Sequence, residues 1–291
     1  MIYTHSGLFH ADDALAVAIV QNYLPIEGIS IISRVRELPG TFNSSCDIAV
    51  DVGGCYDPKR QIFDHHFKGG SDDGFAAAGK VWQTVELPQA LKDRVYLTLI
   101  GAIDRADIGI SDWSPVKDEW RHLSASALIS SMNPPFGSSE EQQRDCFYVV
   151  VKTMSLVLLN AVEQAKTWLE MSEVVKTSEK INQVLILTKG GPWQEHVFSQ
   201  ELDGILYAIY PSERGGYCVQ CVPNKLGGFG MRKPLPEAWR GLRGAELIVV
   251  LPPRRGGWAD TSSLFTHPGG FIAGTETFEE AKELALLAVN A

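Results

Sequence analysis

Asp47-Ile48-Ala49-Val50-Asp51-Val52-Gly53-Gly54 is a short apolar run with a carboxylate at its carboxyl end and two glycines to close it. It reads as a buried strand that delivers Asp51 to the edge of a sheet. The same form recurs on both sides of it. Ile2-Tyr3-Thr4 ends at His5, and Gln61-Ile62-Phe63 runs into Asp64-His65-His66. Ile29-Ser30-Ile31-Ile32-Ser33 supplies another strand, and Ala14 to Leu24 is apolar nearly all round, as a buried helix is. Strand, helix, strand, strand predicts an α/β fold with a mostly parallel sheet in its N-terminal part. Ligands of such sheets bind outside the carboxyl ends of the strands. His5, Asp51 and Asp64-His65-His66 all fall there.

With His10 and Asp12 these residues make seven imidazole and carboxylate side chains, the composition of a site for two divalent ions. Mixed oxygen and nitrogen donors suit Mn²⁺, Mg²⁺ or Zn²⁺, with Mn²⁺ expected first. Two such ions about 3.5–4 Å apart activate a water and stabilise the leaving oxygen of a phosphoester. A carboxylate at the end of a buried strand is costly unless a cation compensates it. Gly7 lets the loop from His5 to His10 fold back on one centre. His65 and His66 are adjacent, so on an extended chain their rings are expected to diverge. One would then ligate a metal while the other faces a substrate phosphate.

Farther along, 74–85 and 91–106 read as helices, the second ending in Asp104-Arg105-Ala106-Asp107, and a turn-rich loop continues to Gly137. Ser138 to Lys189 contains no Gly or Pro, and apolar residues from Phe147 to Leu169 recur at helical spacing. This predicts one long helix over about 139–177. Strands are expected at 184–187, 205–210, 217–222 and 247–251, with a hairpin turn at 212–216 and a closing helix at 278–289. The expected domains are therefore a metal-binding catalytic domain at 1–137, a connecting helix at 138–182 and a smaller α/β substrate-binding domain at 183–291.

The 291 residues carry 45% hydrophobic and 21% charged side chains, which fits a globular protein with a real core. Five scattered cysteines argue against a disulfide framework, and Cys218-x-x-Cys221 sits in an alternating run that reads as a strand. No basic leader precedes Ile2 and no uninterrupted apolar run approaches the ~20 residues of a membrane span, so a cytoplasmic protein without membrane contact is expected. The net charge of −9 disfavours long nucleic acids, which are held through many phosphate contacts. One segment runs against that average. Lys225, Arg232, Lys233, Arg240, Arg243, Arg254 and Arg255 stand against only Glu237 and Glu246, a candidate phosphate-contacting patch.

Thr4-His5-Ser6-Gly7-Leu8-Phe9-His10-Ala11-Asp12-Asp13-Ala14-Leu15-Ala16 resembles the opening of the melanocyte-proliferating-gene family of metal-dependent hydrolases. So do Asp51 to Pro58, Phe63 to His66, Asp104 to Ser111, Asn133-Pro134, Gly191 to His196, Gln220 to Pro223, Pro234 to Leu242 and Phe265 to Ile272. The likeness covers nearly the whole chain, and the family is similar in turn to the DHH phosphoesterases. It implies that His5, His10 and Asp51 hold one metal, and that Asp12, Asp51, His65 and Asp104 hold the other, with Asp51 bridging. Asp107 fits the same pattern as Asp104. His66 would face the scissile phosphate, and Asp64 would orient a neighbouring imidazole. Gly269-Gly270 with His267 would contact substrate, beside Arg232 and Arg240 of the basic segment. The implied activity is 3′–5′ exonuclease cleavage of RNA or short oligonucleotides. Hydrolysis of a small phosphorylated metabolite or of pyrophosphate, and metal-dependent binding of nucleic acid without cleavage, are the alternatives. RNA or a short oligonucleotide is the expected partner, with a homodimer allowed. Two departures stand out: His10 occupies a place where most DHH enzymes carry an acid, and Phe67 follows the His-His pair where the family often has Gln.

Overall fold

A computed structural model describes residues 1–24, 31–110 and 124–291. The first part of the expected strand at 29–33, and Ser111 with much of the loop after it, lie outside the described residues. The chain folds as two compact units, Met1–Lys166 and Thr167–Ala291. The boundary falls inside the long helix, which therefore belongs to both.

The first unit opens with β1 (Ile2–His5), α1 (Ala11–Tyr23), β2 (Ile32–Val35) and β3 (Ile48–Val50), followed by β4 (Tyr56–Asp57) and β5 (Ile62–Phe63). The strands form one sheet in the order β2-β1-β3-β5-β4. The ladders β1/β2, β1/β3 and β3/β5 are parallel, and the edge pair β4/β5 is antiparallel. The sheet is thus mixed but parallel through its centre. α1 is buried from Ala11 to Val20, as its all-round apolar sequence demands.

Shorter helices follow: α2 (Ala77–Thr84), α3 (Gln89–Val95), α4 (Gly101–Asp107) and α5 (Ala125–Ser130). The single helix expected over 91–106 is α3 and α4 joined through a π-helical turn at Tyr96–Ile100. Such turns recur at functional sites, and this one immediately precedes the two aspartates of α4.

The long helix α6 (Glu140–Thr177) matches its expectation closely. Phe147, Val150, Val151, Met154, Leu158, Val162 and Ala165 form its buried stripe in the first unit. Met171 and Val175 join a core cluster of the second. An 18-residue window of α6 reaches a mean hydropathy of 1.5 with 33% of it buried, enough in length and composition to cross a membrane. The expectation drawn from uninterrupted apolar runs misses this, because scattered polar residues break up the sequence of the helix. A buried core helix of a globular protein passes the same test.

The second unit contains β6 (Glu179–Ile181), β7 (Val184–Ile186), α7 (Trp193–Ser199), β8 (Tyr207–Pro211), β9 (Tyr217–Cys221), α8 (Gly244–Val250), β10 (Phe265–Thr266), β11 (Ile272–Thr275) and α9 (Phe278–Asn290). Its sheet runs β10-β11-β9-β8-β7-β6, antiparallel except for β7/β8. The hairpin turn at 212–216 is present, closed by Ser212 N–H to Gly216 O at 2.9 Å. The strand expected at 247–251 is absent, because those residues form α8 and its C-terminal end. A short β-branched run does not distinguish strand from helix by composition alone. Here Leu247 and Leu251, four residues apart, are buried while Val249 is 84% exposed, a helical pattern.

Candidate metal centre

The carboxyl edge of the first sheet gathers donors from three adjacent strands. β1 ends at His5, β3 delivers Asp51, and β5 runs into Asp64-His65-His66. Asp12 and Asp13 open α1 beneath them, and α4 contributes Asp104 and Asp107. Asp51 sits at the middle. Its backbone is left-handed, φ 55°, which turns the chain sharply out of β3. The His5 Nε2 lies 3.4 Å from one Asp51 oxygen, while His65 Nδ1 and His66 Nδ1 lie 3.5 and 3.2 Å from the other. His5 Nε2 is also 2.8 Å from Asp13 Oδ2, and His65 Nε2 is 3.2 Å from Asp107 Oδ2. His10 is the outermost donor, half exposed, with Nδ1 3.6 Å from Asp107 Oδ1.

Supporting contacts fix these loops. Asp64 accepts the backbone N–H of Gly54 at 2.6 Å, of His65 at 2.7 Å and of His66 at 3.0 Å, and it meets His66 Nδ1 at 3.0 Å. It thereby ties the turn after β3 to the turn after β5. Burial works to raise the Asp64 carboxyl, but the hydrogen bonds from His66 and from the amides outweigh it and hold it down at about 2. Contacts with Asp51 first and Asp64 second push His66 up to about 10. The loop between His5 and His10 is clamped by Asn133, whose side chain accepts from Phe9 N–H at 2.9 Å and donates to Phe9 O at 2.8 Å. Arg34 donates to Gly7 O at 2.8 Å and lies over the ring of Phe147 on α6.

The donor set fits divalent cations. Of the ten buried side-chain polar atoms among the described residues that make no well-aligned hydrogen bond, five belong to this cluster: His5 Nε2 and Asp13 Oδ2, which face each other at 2.8 Å, both Asp51 oxygens and His65 Nδ1. Buried polar atoms are ordinarily satisfied, so such a concentration calls for a cation to complete them. Three overlapping groups bring ligand atoms close enough to share an ion: His5 with Asp13 and Asp51; Asp51 with Asp64, His65 and His66; and Asp12 with His65 and Asp107. Burial pushes the Asp12 carboxyl well above the usual range, and the charges of Asp51, Asp107 and Asp104 push it the same way. Burial also raises Asp13, and lifts Asp104 to about 7. So many acids cannot all ionise together without positive charge among them.

The structure revises several sequence readings. The rings of His65 and His66 do not diverge: they stack with centroids 4.1 Å apart, and both reach Asp51. The segment is not extended, because Asp64 gathers both amides and Phe67 N–H bonds back to His65 O at 2.9 Å, so strand alternation is lost. Asp104 and Asp107 are distinguished. Asp107 faces His65 and His10, whereas Asp104 accepts from Gly79 N–H at 3.0 Å inside α2. Asp12 shares that second task, accepting from Ala77 and Ala78 at 3.0 and 2.8 Å, so it holds α2 in place as well as facing the cluster. Asp13 was missed as a member of the cluster, where it lies with His5 and Asp51. Its position at the start of α1 reads as a helix-dipole acid. Two consecutive acids at the head of a helix that is apolar from Ala14 to Val20 were the available signal.

In the second unit, Arg240, Gly270, His267 and Gly269 do come together. Arg240 Nε donates to Leu235 O at 2.9 Å, and the open α-carbon of Gly270 is what admits its guanidinium. His267 Nδ1 receives Gly269 N–H at 3.0 Å and stacks on Phe271, centroids 4.3 Å apart. Arg232 is occupied otherwise. It donates to Leu202 O, Asp203 O and Ile205 O at 2.7, 3.2 and 2.9 Å, and lies over Phe198. Lys233 donates to Val289 O, and Arg254 pairs with Glu283. Much of the basic segment therefore holds its own unit together.

The sequence profile of the MYG1 exonuclease family, described as an uncharacterised protein family (UPF0160), matches residues 1–289. The chain belongs to this MYG1 family. It is 31% identical to the MYG1 exonuclease of Bos taurus, over 98% of this chain and 83% of that one. A MYG1 protein of Schizosaccharomyces pombe is 31% identical over 99% and 97%, and the MYG1 exonuclease of Homo sapiens 29% identical over 98% and 84%. Membership of the MYG1 family and the His/Asp clusters together support a metal-dependent hydrolytic role.

Proposed function

We propose that this protein is a two-metal phosphoesterase that removes nucleotides from the 3′ end of RNA or short oligonucleotides, on a centre related to that of the DHH phosphoesterases. One observation carries the reading. Asp51 is 2% exposed, and its two oxygens have no partner among the described residues but the three imidazoles that surround it. It also joins two of the three ligand groups, one with His5 and Asp13 and one with Asp64, His65 and His66, the second of which shares His65 with the group of Asp12 and Asp107. The naming of mammalian relatives as exonucleases supports the substrate class.

His5, Asp13 and Asp51 would hold one ion, and Asp51, Asp12, His65 and Asp107 the other, with His10 at the open side. Bound divalent ions supply an acidified water and neutralise phosphate charge. The chain's own part is orientation and proton handling. His66 keeps Nδ1 on Asp64 and Asp51, which leaves Nε2 for a phosphate oxygen. Asp64, ionised at neutral pH, holds that ring protonated and in place, as an orienting carboxylate does for a catalytic imidazole. Arg240, His267 and the glycine turn of the second unit are the substrate-contacting candidates there.

The test is elemental analysis followed by a substrate panel. Protein loaded with Mn²⁺ should carry about two ions per chain and shorten RNA from its 3′ end. Release of phosphate from pyrophosphate or small phosphomonoesters, with RNA and DNA untouched, would replace this reading by that of a metabolite hydrolase.

A further inference from the structure

A cavity of about 690 Å³ opens beside the metal centre, lined by His5, His10, Asp51, Asp64 and His66, and also by Arg36. Arg36 belongs to no motif that identified the centre. Its position follows from sheet topology. β1 and β2 are parallel, with His5 opposite Val35 and Ser6 N–H bonded to Val35 O at 2.9 Å. Arg36 therefore leaves the sheet at the same carboxyl edge as His5, one residue beyond the strand's end.

Its chemistry sets it apart from the other arginines whose contacts are described above. Arg34, Arg232, Arg240 and Arg254 each donate to a backbone carbonyl. Arg36 is exposed and forms no ion pair or side-chain hydrogen bond with the described residues. This wall also carries Glu37 and Asp64, acids assigned to no ion here, so a phosphate approaching it needs a further cation from the protein beside the metals. A guanidinium offers paired N–H donors that match two phosphate oxygens.

We propose that Arg36 is a substrate-binding residue of the metal centre, the guanidinium that takes non-bridging phosphate oxygens of the nucleotide seated in the cavity. The inference rests on the phosphoesterase reading and adds to it the group that grips the anion. The first unit then supplies both the cutting groups and one phosphate contact, apart from anything the second unit adds.

The experiment compares wild type with Arg36→Ala, Arg36→Gln and Arg36→Lys, all loaded with Mn²⁺. It measures metal content, kcat/KM on a short RNA and calorimetric binding of adenosine 5′-monophosphate. Because Arg36 is exposed, the variants are expected to fold. The Ala and Gln variants should keep their metal, lose about tenfold or more in kcat/KM and bind the monophosphate correspondingly more weakly, with Lys recovering part of both. If wild type cleaves RNA and the variants cleave it and bind the monophosphate equally well, the assignment of Arg36 is overturned while the phosphoesterase reading survives. If wild type cleaves no phosphoester but monophosphate binding still depends on Arg36, the anion contact is upheld and the phosphoesterase reading falls.

Discussion

In the first unit, the carboxyl edge of the parallel strands leaves buried atoms of His5, Asp13, Asp51 and His65 without hydrogen bonds. In the second, buried or half-buried charge is spent on the fold. Glu280 accepts from Ala259 and Thr277, Arg254 pairs with Glu283, and His196 meets the carbonyl of Trp168 at 2.8 Å. Among the described residues, the buried side-chain atoms there without a hydrogen bond are only the hydroxyls of Thr261 and Thr266. An uncompensated carboxylate is far costlier to bury than a hydroxyl. The difference separates a unit organised to receive cations from one organised around its own packing. Substitutions should therefore divide by unit, with metal and turnover lost on one side and stability on the other.

The sharpest break is at Asp51. Asp51→Ala should lose both ions together and reduce turnover by about a thousandfold or more. Elemental analysis checks it: one tightly held ion in that variant would end the bridging role. Removing this carboxylate also relieves the crowding of acids, so the metal-free variant should unfold no more readily than metal-free wild type.

His66→Ala should keep its metal content and lose about 10²–10⁴ in kcat, the usual worth of a positioned proton donor. Metal loss equal to that of His65→Ala would merge the two roles. The metal-free protein gives an independent view. His66 is raised from 6.5 to about 10, so its stabilising contribution is fully present below pH 6.5 and lost as pH rises through about 10. NMR titration of the ring should show it protonated at pH 8, and Asp64→Asn should bring the midpoint down.

Asn133 tests how far support extends beyond the donors. Asn133→Ala removes both hydrogen bonds to the Phe9 backbone and frees the loop that carries His10. Mn²⁺ affinity should fall about 10–100-fold, the scale for partners one shell out from a metal. Unchanged affinity would mean that Arg34 and the packing of Phe9 hold the loop unaided.

What could be read from the sequence follows from how local its causes are. β1, β3, β5 and α6 were legible because apolar runs and a 38-residue stretch without breakers leave few alternatives. That His5, Asp51 and His65 gather at one edge was legible because parallel strands bring their carboxyl ends together. The stacking of His65 on His66 was not, because it depends on amides that Asp64 captures only once the turn is formed. The choice between Asp104 and Asp107 depends on where α2 begins, because Asp104 accepts from Gly79 in its first turn, 25 residues away in sequence. α8 was misread for a related reason. Its β-branched residues favour a strand locally, and only the packing of Leu247 and Leu251 against the second unit's core makes a helix of them.

Arg232 tests the other side of the division. By sequence it belongs to a phosphate-binding patch; by contact it fastens the loop between α7 and β8. Three carbonyls at 2.7–3.2 Å take its donors, while Asp203, 89% exposed, adds little through an ion pair at 3.4 Å. Arg232→Ala strips those carbonyls of a partner, and water reaches only some of them, so a loss of about 1–3 kcal/mol in stability is expected. Lys should not restore it, because one ammonium cannot reproduce a planar fork over Phe198. Urea denaturation should show the midpoint fall for both variants, with Mn²⁺ content and kcat/KM per folded molecule unchanged. A stable variant with a raised KM and a shallower salt dependence of oligonucleotide binding would reverse the conclusion. It would put a phosphate contact in the second unit at a residue whose donors are already engaged.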